Sequence, residues 1–405
     1  MTASSQPATI ASQERTAASV GDLRAVVVDT VRAVPAAAWD AVTGQELGYS
    51  HRWQSVLETE LRGYQPFYIL IYAGAELIGA AFTMVVPDYL LPKRFPRYIQ
   101  PLVEWTLRKT TLICITPMNS RLEGLMIKPD WPDPDAAVAL ALRTFDHITR
   151  RSMRLLQIFA ATTTNDARIL NALTQRGYQP TQVEPYVTLD VTWPTFKDYL
   201  QSLPRKRRMD IQRQLNNAQR HGGITIEGIR PDHVDVSDAE LYRQIANTAQ
   251  RYGEEPHVKP TFFAALREQM SDNSTIFFAR VDGQIGAIAV TLHDDMSISF
   301  PFIGQDHTLS RQYGLYFLLH FDAIRYAIER RLPLINMGLT QLDLKRRLGY
   351  KPNPRSFIVR SPYRPLDRVL QWAMHRLAPR LIAAVGKQKQ GEQAPSPGGA
   401  ASSGE

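Results

Sequence analysis

At 405 residues, 44% hydrophobic and 21% charged, the chain is too long for one ordinary core and too apolar for a disordered scaffold; two domains of roughly 150 to 200 residues are expected. The single cysteine excludes intrachain disulfides, and its place in Thr111-Leu112-Ile113-Cys114-Ile115 reads as core packing, not as a thiol nucleophile. A net charge of +8 fits an anionic partner, such as a nucleotide cofactor, RNA or acidic lipid, or simple solvation.

Residues 1–20 and 386–405 lack hydrophobic periodicity and are expected to be disordered. Met1 to Gln13 has no basic region followed by an apolar core, so it does not read as a signal peptide. No stretch reaches the roughly 18 apolar residues of a spanning helix. The expectation is a cytoplasmic protein, with peripheral contact at the inner membrane face as the alternative.

A first domain is expected over residues 21–195. Tyr68-Ile69-Leu70-Ile71-Tyr72, a turn at Gly74 and Leu77-Ile78-Gly79 read as a β-hairpin. Residues 87–111 form a basic and aromatic insert that includes Trp105-Thr106-Leu107-Arg108-Lys109. It reads as a membrane or RNA contact, or as a peripheral packing loop. A helix ending in Arg150-Arg151 precedes the buried strand Leu155-Leu156-Gln157-Ile158-Phe159, and Leu173-Thr174-Gln175-Arg176-Gly177-Tyr178-Gln179-Pro180 closes a second helix with glycine and proline.

A second domain is expected over residues 196–365, because the same signals recur in the same order. Ile276-Phe277-Phe278-Ala279 with Asp282-Gly283 forms the hairpin, Arg330-Arg331 ends the helix before Leu334-Ile335-Asn336, and Lys345-Arg346-Arg347-Leu348-Gly349-Tyr350-Lys351-Pro352 repeats the Gly-Tyr close. In the last pair, Lys345 stands where the first copy has Leu173. Packing alone does not ask for that difference. Residues 366–385 have helical apolar spacing with basic residues opposite, which fits packing on the domain or an acidic lipid surface.

A hairpin, a central strand, a helix, another strand and a helix ending in Gly-aromatic resemble the GNAT acyltransferase fold. Two in tandem resemble its Fem-like, peptidoglycan-biosynthesis-type (BioF2-like acetyltransferase) branch. The resemblance implies an α/β (α+β) fold of two tandem GNAT-like domains, each a mixed central sheet flanked by helices. Three segments carry it. Arg205-Lys206-Arg207-Arg208 opens a basic helix that resembles the one starting the second domain, which implies phosphate contact by Arg207 and Arg208. Arg311-Gln312-Tyr313-Gly314-Leu315-Tyr316 is similar to the loop that binds the pyrophosphate of coenzyme A, with Tyr316 in place of a small residue. There a glycine lets backbone N–H groups approach phosphate at a helix N-terminus. Leu344-Lys345-Arg346-Arg347-Leu348-Gly349 resembles a Fem-like motif whose lysine lies beside the transferred ester, which assigns Lys345 to polarising the carbonyl or holding donor phosphate.

The reaction implied is transfer of an acyl or aminoacyl group to an amine. No cofactor is bound permanently; acyl-coenzyme A, acyl carrier protein or aminoacyl-tRNA serves as donor, and an amine-bearing small molecule or a cell-envelope precursor is the acceptor. The strand Ser297-Ile298-Ser299-Phe300-Pro301-Phe302 is expected to splay at Pro301 and offer a backbone N–H to an oxyanion. Tyr313 or Tyr316 is the candidate acid for the leaving group, and Glu254 or Glu255 the candidate for holding or deprotonating the amine. Scattered histidines, no Gly-x-Ser-x-Gly elbow and no Walker loop argue against a metal site, a hydrolase triad and an NTPase. The competing reading is a non-catalytic GNAT-like protein that binds an anionic or nucleic-acid ligand.

Overall fold

The computed structural model describes residues 15–44, 46–87, 98–118, 123–162, 167–175, 180–251, 253–338, 342–373 and 376. Among them, fourteen strands join into one mixed sheet. Its first edge is β1 (Arg15–Val20) and β2 (Leu23–Val28), an antiparallel pair turning at Gly21, φ 56°. Residues 15–20 were expected outside the folded part; the Gly21-Asp22 turn, which supplies the positive φ of a tight hairpin, ties them to the sheet instead.

The two expected hairpins are present as β3 (Pro66–Ala73) with β4 (Glu76–Val85), and β10 (Ser274–Val281) with β11 (Gln284–His293). They share an irregularity: the register slips between Ile71 and Tyr72 in one and between Ala279 and Arg280 in the other. A bulge at the same place in both sharpens the twist that wraps each hairpin over its helix. Between them run α3 (Gln100–Thr110), β5 (Thr111–Cys114), β6 (Leu125–Ile127), α4 (Pro134–Arg151), β7 (Leu156–Thr162), α5 (Ala167–Gln175) and β8 (Pro180–Asp190). Residues 88–97 of the basic insert and the first Gly-Tyr pair, 177–178, lie outside the described residues.

Next come α6 (Phe196–Ser202), α7 (Arg205–His221), β9 (Ile224–Ile229), α8 (Asp238–Arg251) and α9 (Phe262–Met270). After the second hairpin follow β12 (Ser297–Gln305), α10 (His307–Tyr313), α11 (Leu315–Glu329), β13 (Leu334–Asn336), α12 (Leu342–Arg347) and β14 (Lys351–Arg360). The strand order is β1-β2-β3-β4-β5-β7-β14-β8-β13-β12-β11-β10-β9, with β6 beside β4. The last strands are exchanged. β14 inserts between β7 and β8, while β8 pairs with β13, so each run of strands is completed by the end of the other. Of the C-terminal helix expected over 366–385, residues 366–373 and 376 are described and are helical, in a helix that begins at residue 364.

Period-two alternation sorts the side chains of the second hairpin onto two cores. Phe277, Ala279, Ala287 and Ala289 face α11 through Leu318, Phe321 and Ile324. Phe278, Ile288 and Val290 face α8 and α9 through Leu241, Ile245 and Phe262. That second core continues into the N-terminal region: Trp53 and Leu57 of α2 (His51–Glu60) belong to it, with the Trp53 and Phe262 rings 6.4 Å apart. Burial of this size, about 1.5–3 kcal/mol for each large apolar side chain, holds the central strands rigid.

Candidate active site

The sheet opens where the proline was expected to open it. β12 and β13 run parallel over only three pairs, Ser297 with Leu334, Ile298 with Ile335 and Ser299 with Asn336. On its other side β12 carries a bulge, because Phe302 pairs with Val290 and Ser299 with Leu292, leaving two residues opposite one. Pro301, which has no N–H to give the ladder, occupies the bulge. The extra residue turns neighbouring phenylalanines to opposite faces: Phe300 looks toward α11, 6.2 Å from the His320 ring, and Phe302 packs on Phe262 at 5.1 Å.

The Gly314 segment forms the joint between α10 and α11. Gly314 is left-handed at φ 69°, capping α10 and starting α11 at once. A side-chain-bearing residue pays strain for this conformation. Tyr313 turns from the sheet opening to α7, its ring 4.8 Å from His221, and Gln312 Nε2 donates to its hydroxyl at 3.0 Å. Arg311 and Gln312 are exposed. The basic helix therefore does meet the joint, but through His221 and its middle, where Gln214 is the nearest neighbour of Gly314. Arg207 and Arg208 lie about 10 Å further along the helix axis, at its first turn, where Arg208 Nη1 donates to Gln201 O at 3.4 Å.

One turn into α11, a polar cluster is buried at the opening. Lys345 of α12 is 2% exposed, and its ammonium donates to Met337 O, just past the end of β13, at 2.6 Å. His320, 1% exposed, stands close enough for the Lys345 charge to act on it. Burial first, and that charge second, push the imidazole pKa down to about 3, so the ring is neutral at any ordinary pH. Among the described residues, neither ring nitrogen of His320 has a hydrogen-bond partner. Tyr316, one turn before it on the same face of α11, stacks edge-on at 4.4 Å. Tyr350 completes the group: its hydroxyl is buried without a partner, and burial and the nearby Tyr199 and Tyr316 raise its pKa well above the usual phenol value. The Tyr199 hydroxyl donates to Leu348 O at 3.0 Å.

An unpartnered buried polar group costs about 1–3 kcal/mol, and this cluster holds three such atoms, the two ring nitrogens of His320 and the Tyr350 hydroxyl. An ammonium, a neutral imidazole and a phenol, held without water-exposed freedom, suit a carbonyl whose oxygen becomes negative: donors for the oxyanion and an acceptor for an incoming N–H.

The expected site residues are thus divided. Lys345 and Tyr316 come together; Tyr313 and Gly314 lie beside them at the joint. Glu254 does not join them. It lies past the end of α8, which packs on the opposite face of the sheet from α11, and its ionic partner is His257 at 3.7 Å. Glu255 pairs with Arg62 at 3.2 Å. The reason is local: after Gly253 the chain runs to the N-terminal region, where Leu61 and Val258 form a bridge. His320 and Tyr350 are the residues that sequence reading did not assign a role. The signal for His320 was available, since it stands four residues after Tyr316 on a helix.

The fold is similar to solved structures that the chain covers almost end to end. FemX matches with a TM-score of 0.54 and 10% identity over 83% of this chain and 97% of its own. L-PGS from Bacillus licheniformis matches at 0.52 and 13% identity over 86% and 95%. A tandem GNAT protein from the clavulanic acid biosynthesis pathway matches at 0.51 and 11% identity over 84% and 99%. Among curated sequences, "Putative 8-amino-7-oxononanoate synthase 2" of Mycobacterium tuberculosis is 26% identical over 205 residues, 49% of this chain. The aligned part is 26% of that relative, so the chain spans about a quarter of its length. The FemAB-like family model, described as peptidoglycan biosynthesis/recognition, matches residues 112–394, a span that contains the bulged β12, the Gly314 joint and the whole buried cluster. With its mixed GNAT-type sheet and that match over more than half its length, the chain belongs to the FemAB-like family.

Proposed function

We propose that the protein transfers an acyl or aminoacyl group from an activated ester or thioester to an amine, at the opening between β12 and β13. The observation that carries this reading is the buried Lys345 ammonium beside His320, whose two ring nitrogens have no hydrogen-bond partner among the described residues. The donor's phosphate-bearing carrier, coenzyme A, a carrier-protein arm or the end of a tRNA, lies along the Gly314 joint and α7, where Arg311 and the helix N-terminus favour an anion. The donor carbonyl reaches past Tyr316 to the cluster. The acceptor amine attacks that carbonyl, the C–N bond forms, and the oxyanion is held by Lys345 and a backbone N–H at the bulge. His320, neutral, accepts the amine's N–H hydrogen bond and aims its lone pair. As the C–O or C–S bond breaks, the proton lost by the amine passes to the departing oxygen or sulfur through the hydroxyl of Tyr350 or Tyr316.

In the same reading, residues 21–195 and 196–365 are two copies of one GNAT-like unit, of which the second carries the chemistry. The matching bulges of the two hairpins support it. The acceptor is a small amine or a cell-envelope precursor.

Thermal unfolding with coenzyme A, acyl-coenzyme A thioesters and aminoacyl-tRNA tests the donor, because a ligand bound to the native state raises Tm. A shift with thioesters or with aminoacyl-tRNA names the donor class. The enzyme reading is then tested by Lys345→Ala with that donor: turnover collapses in a transferase, whereas a binder that does no chemistry shows no turnover to lose.

A further inference from the structure

Nine large hydrophobic side chains are exposed among the described residues, and seven of them lie at one edge of the molecule, far too uneven for chance scatter. Three belong to α3 and the turn before it: Tyr98, Leu102 and Trp105, which are 84%, 63% and 59% exposed. Spaced by four and three residues, they form one stripe, which Lys109 extends by a further turn. α3 has no buried residue, so this stripe is additional to the face through which Leu107 touches the core. Met153 and Leu155 stand in the turn between α4 and β7. That turn is fastened to the end of α3, with Leu155 N donating to Thr110 O at 2.7 Å and the Arg154 guanidinium donating to Arg108 O. The last two, Val369 and Trp372, are on the helix over 364–373. Arg150 Nη2 donates to Pro362 O just before that helix, which places it at the same edge.

The exposed charge around these residues is basic. Lys109, Arg151, Arg364 and Arg368 are exposed beside them. Of the neighbouring acids, Asp146 is paired with Arg360 at 2.8 Å, while Asp367 and Glu104, which accept from Ser361 N and Gln100, keep their charge and are outnumbered by the four exposed cations. Tryptophan and tyrosine with basic flanks are the side chains that settle at a bilayer interface, apolar part in the acyl boundary and cations at the headgroups. No helix among the described residues is long and apolar enough to cross a membrane. We infer that this edge, built from α3, the α4–β7 turn and the helix over 364–373, docks the protein on an anionic lipid surface.

Co-sedimentation of the full chain with phosphatidylglycerol/phosphatidylcholine vesicles, against phosphatidylcholine alone, tests this directly. Binding is expected to the anionic vesicles, to weaken as salt rises, and to fall about tenfold or more in a Leu102→Asp/Trp105→Asp variant. Because α3 buries none of its side chains, that variant should keep the wild-type Tm, which thermal unfolding checks. Met209→Asp, at an exposed apolar residue of α7, is expected to leave binding unchanged. Equal binding to both vesicles, no binding to either, equal loss with Met209→Asp, or a dimer that the α3 variant dissociates without vesicle binding would each overturn the inference.

Discussion

Two helix pairs of this chain, matched by their sequence signals under the proposed duplication, have opposite contents. If Arg150-Arg151 is aligned with Arg330-Arg331, 180 residues on, Ala136 and Leu140 of α4 correspond to Tyr316 and His320 of α11. If the Gly-Tyr pairs are aligned, Leu173 of α5 corresponds to Lys345 of α12. Leu140 and Leu173 are both 0% exposed and belong to one hydrophobic core. Lys345 and His320 are just as buried, yet polar and, for His320, unpartnered. A fold that needs only packing at these positions puts leucine there, as the first region shows. At these positions the second region bears the cost of buried polarity, and the proposed function accounts for that cost by a ligand that meets the molecule there.

The difference can be broken from either side. Putting the charge into the first region, Leu173→Lys, is expected to destabilise the protein by about 3–5 kcal/mol, since no carbonyl or anion is arranged there to receive an ammonium; urea unfolding measures it. Taking it out of the second, Lys345→Leu, is expected to lower turnover by about 10²–10³-fold and to change stability little, because removing a buried charge offsets the orphaning of Met337 O. A transfer assay and a melting curve on the same sample separate those effects.

His320→Leu is expected to raise stability by about 1–3 kcal/mol at neutral pH, because two orphaned ring nitrogens leave the core, and to lower turnover. It also changes the acid limb of stability. In the folded protein the imidazole titrates near pH 3, in the unfolded chain near pH 6.5, so below about 6.5 the unfolded state binds more protons. The wild type therefore loses stability from this group as pH falls from about 6.5 towards 3, and above 6.5 it is insensitive. His320→Leu removes that contribution, and denaturation curves across pH 4 to 7, values inside the window set by these two pKa values, should be flatter. The smallest effect is at the joint: Gly314→Ala forces a side chain into φ 69° and is expected to cost about 1 kcal/mol, read as a lower Tm, with weaker donor binding.

Much of this organisation was legible in the chain. The hairpins announce themselves through β-formers around glycine turns, and the Pro301 break in β12 follows from its missing N–H. Lys345 stands out because the two similar segments share glycine and tyrosine but carry leucine in one and lysine in the other. Other features were not legible for physical reasons. The exchange of β8 and β14 is a choice between partners far apart in sequence, and the strand pattern of each is the same whichever neighbour it takes. Glu254 looked suitable because a loop acid between Tyr252 and Pro256 is unremarkable in one dimension; only the packing of α8 reveals that it lies across the sheet. His320 carried one signal, its four-residue spacing from Tyr316, which is outweighed in the sequence because a histidine inside an apolar helix usually packs as core.

The most direct measurement is turnover by the Lys345→Leu/His320→Leu double variant, with the donor that raises the wild-type Tm. The predicted result is a folded protein that transfers no group above background. A double variant that folds equally well and turns over at the wild-type rate would contradict it.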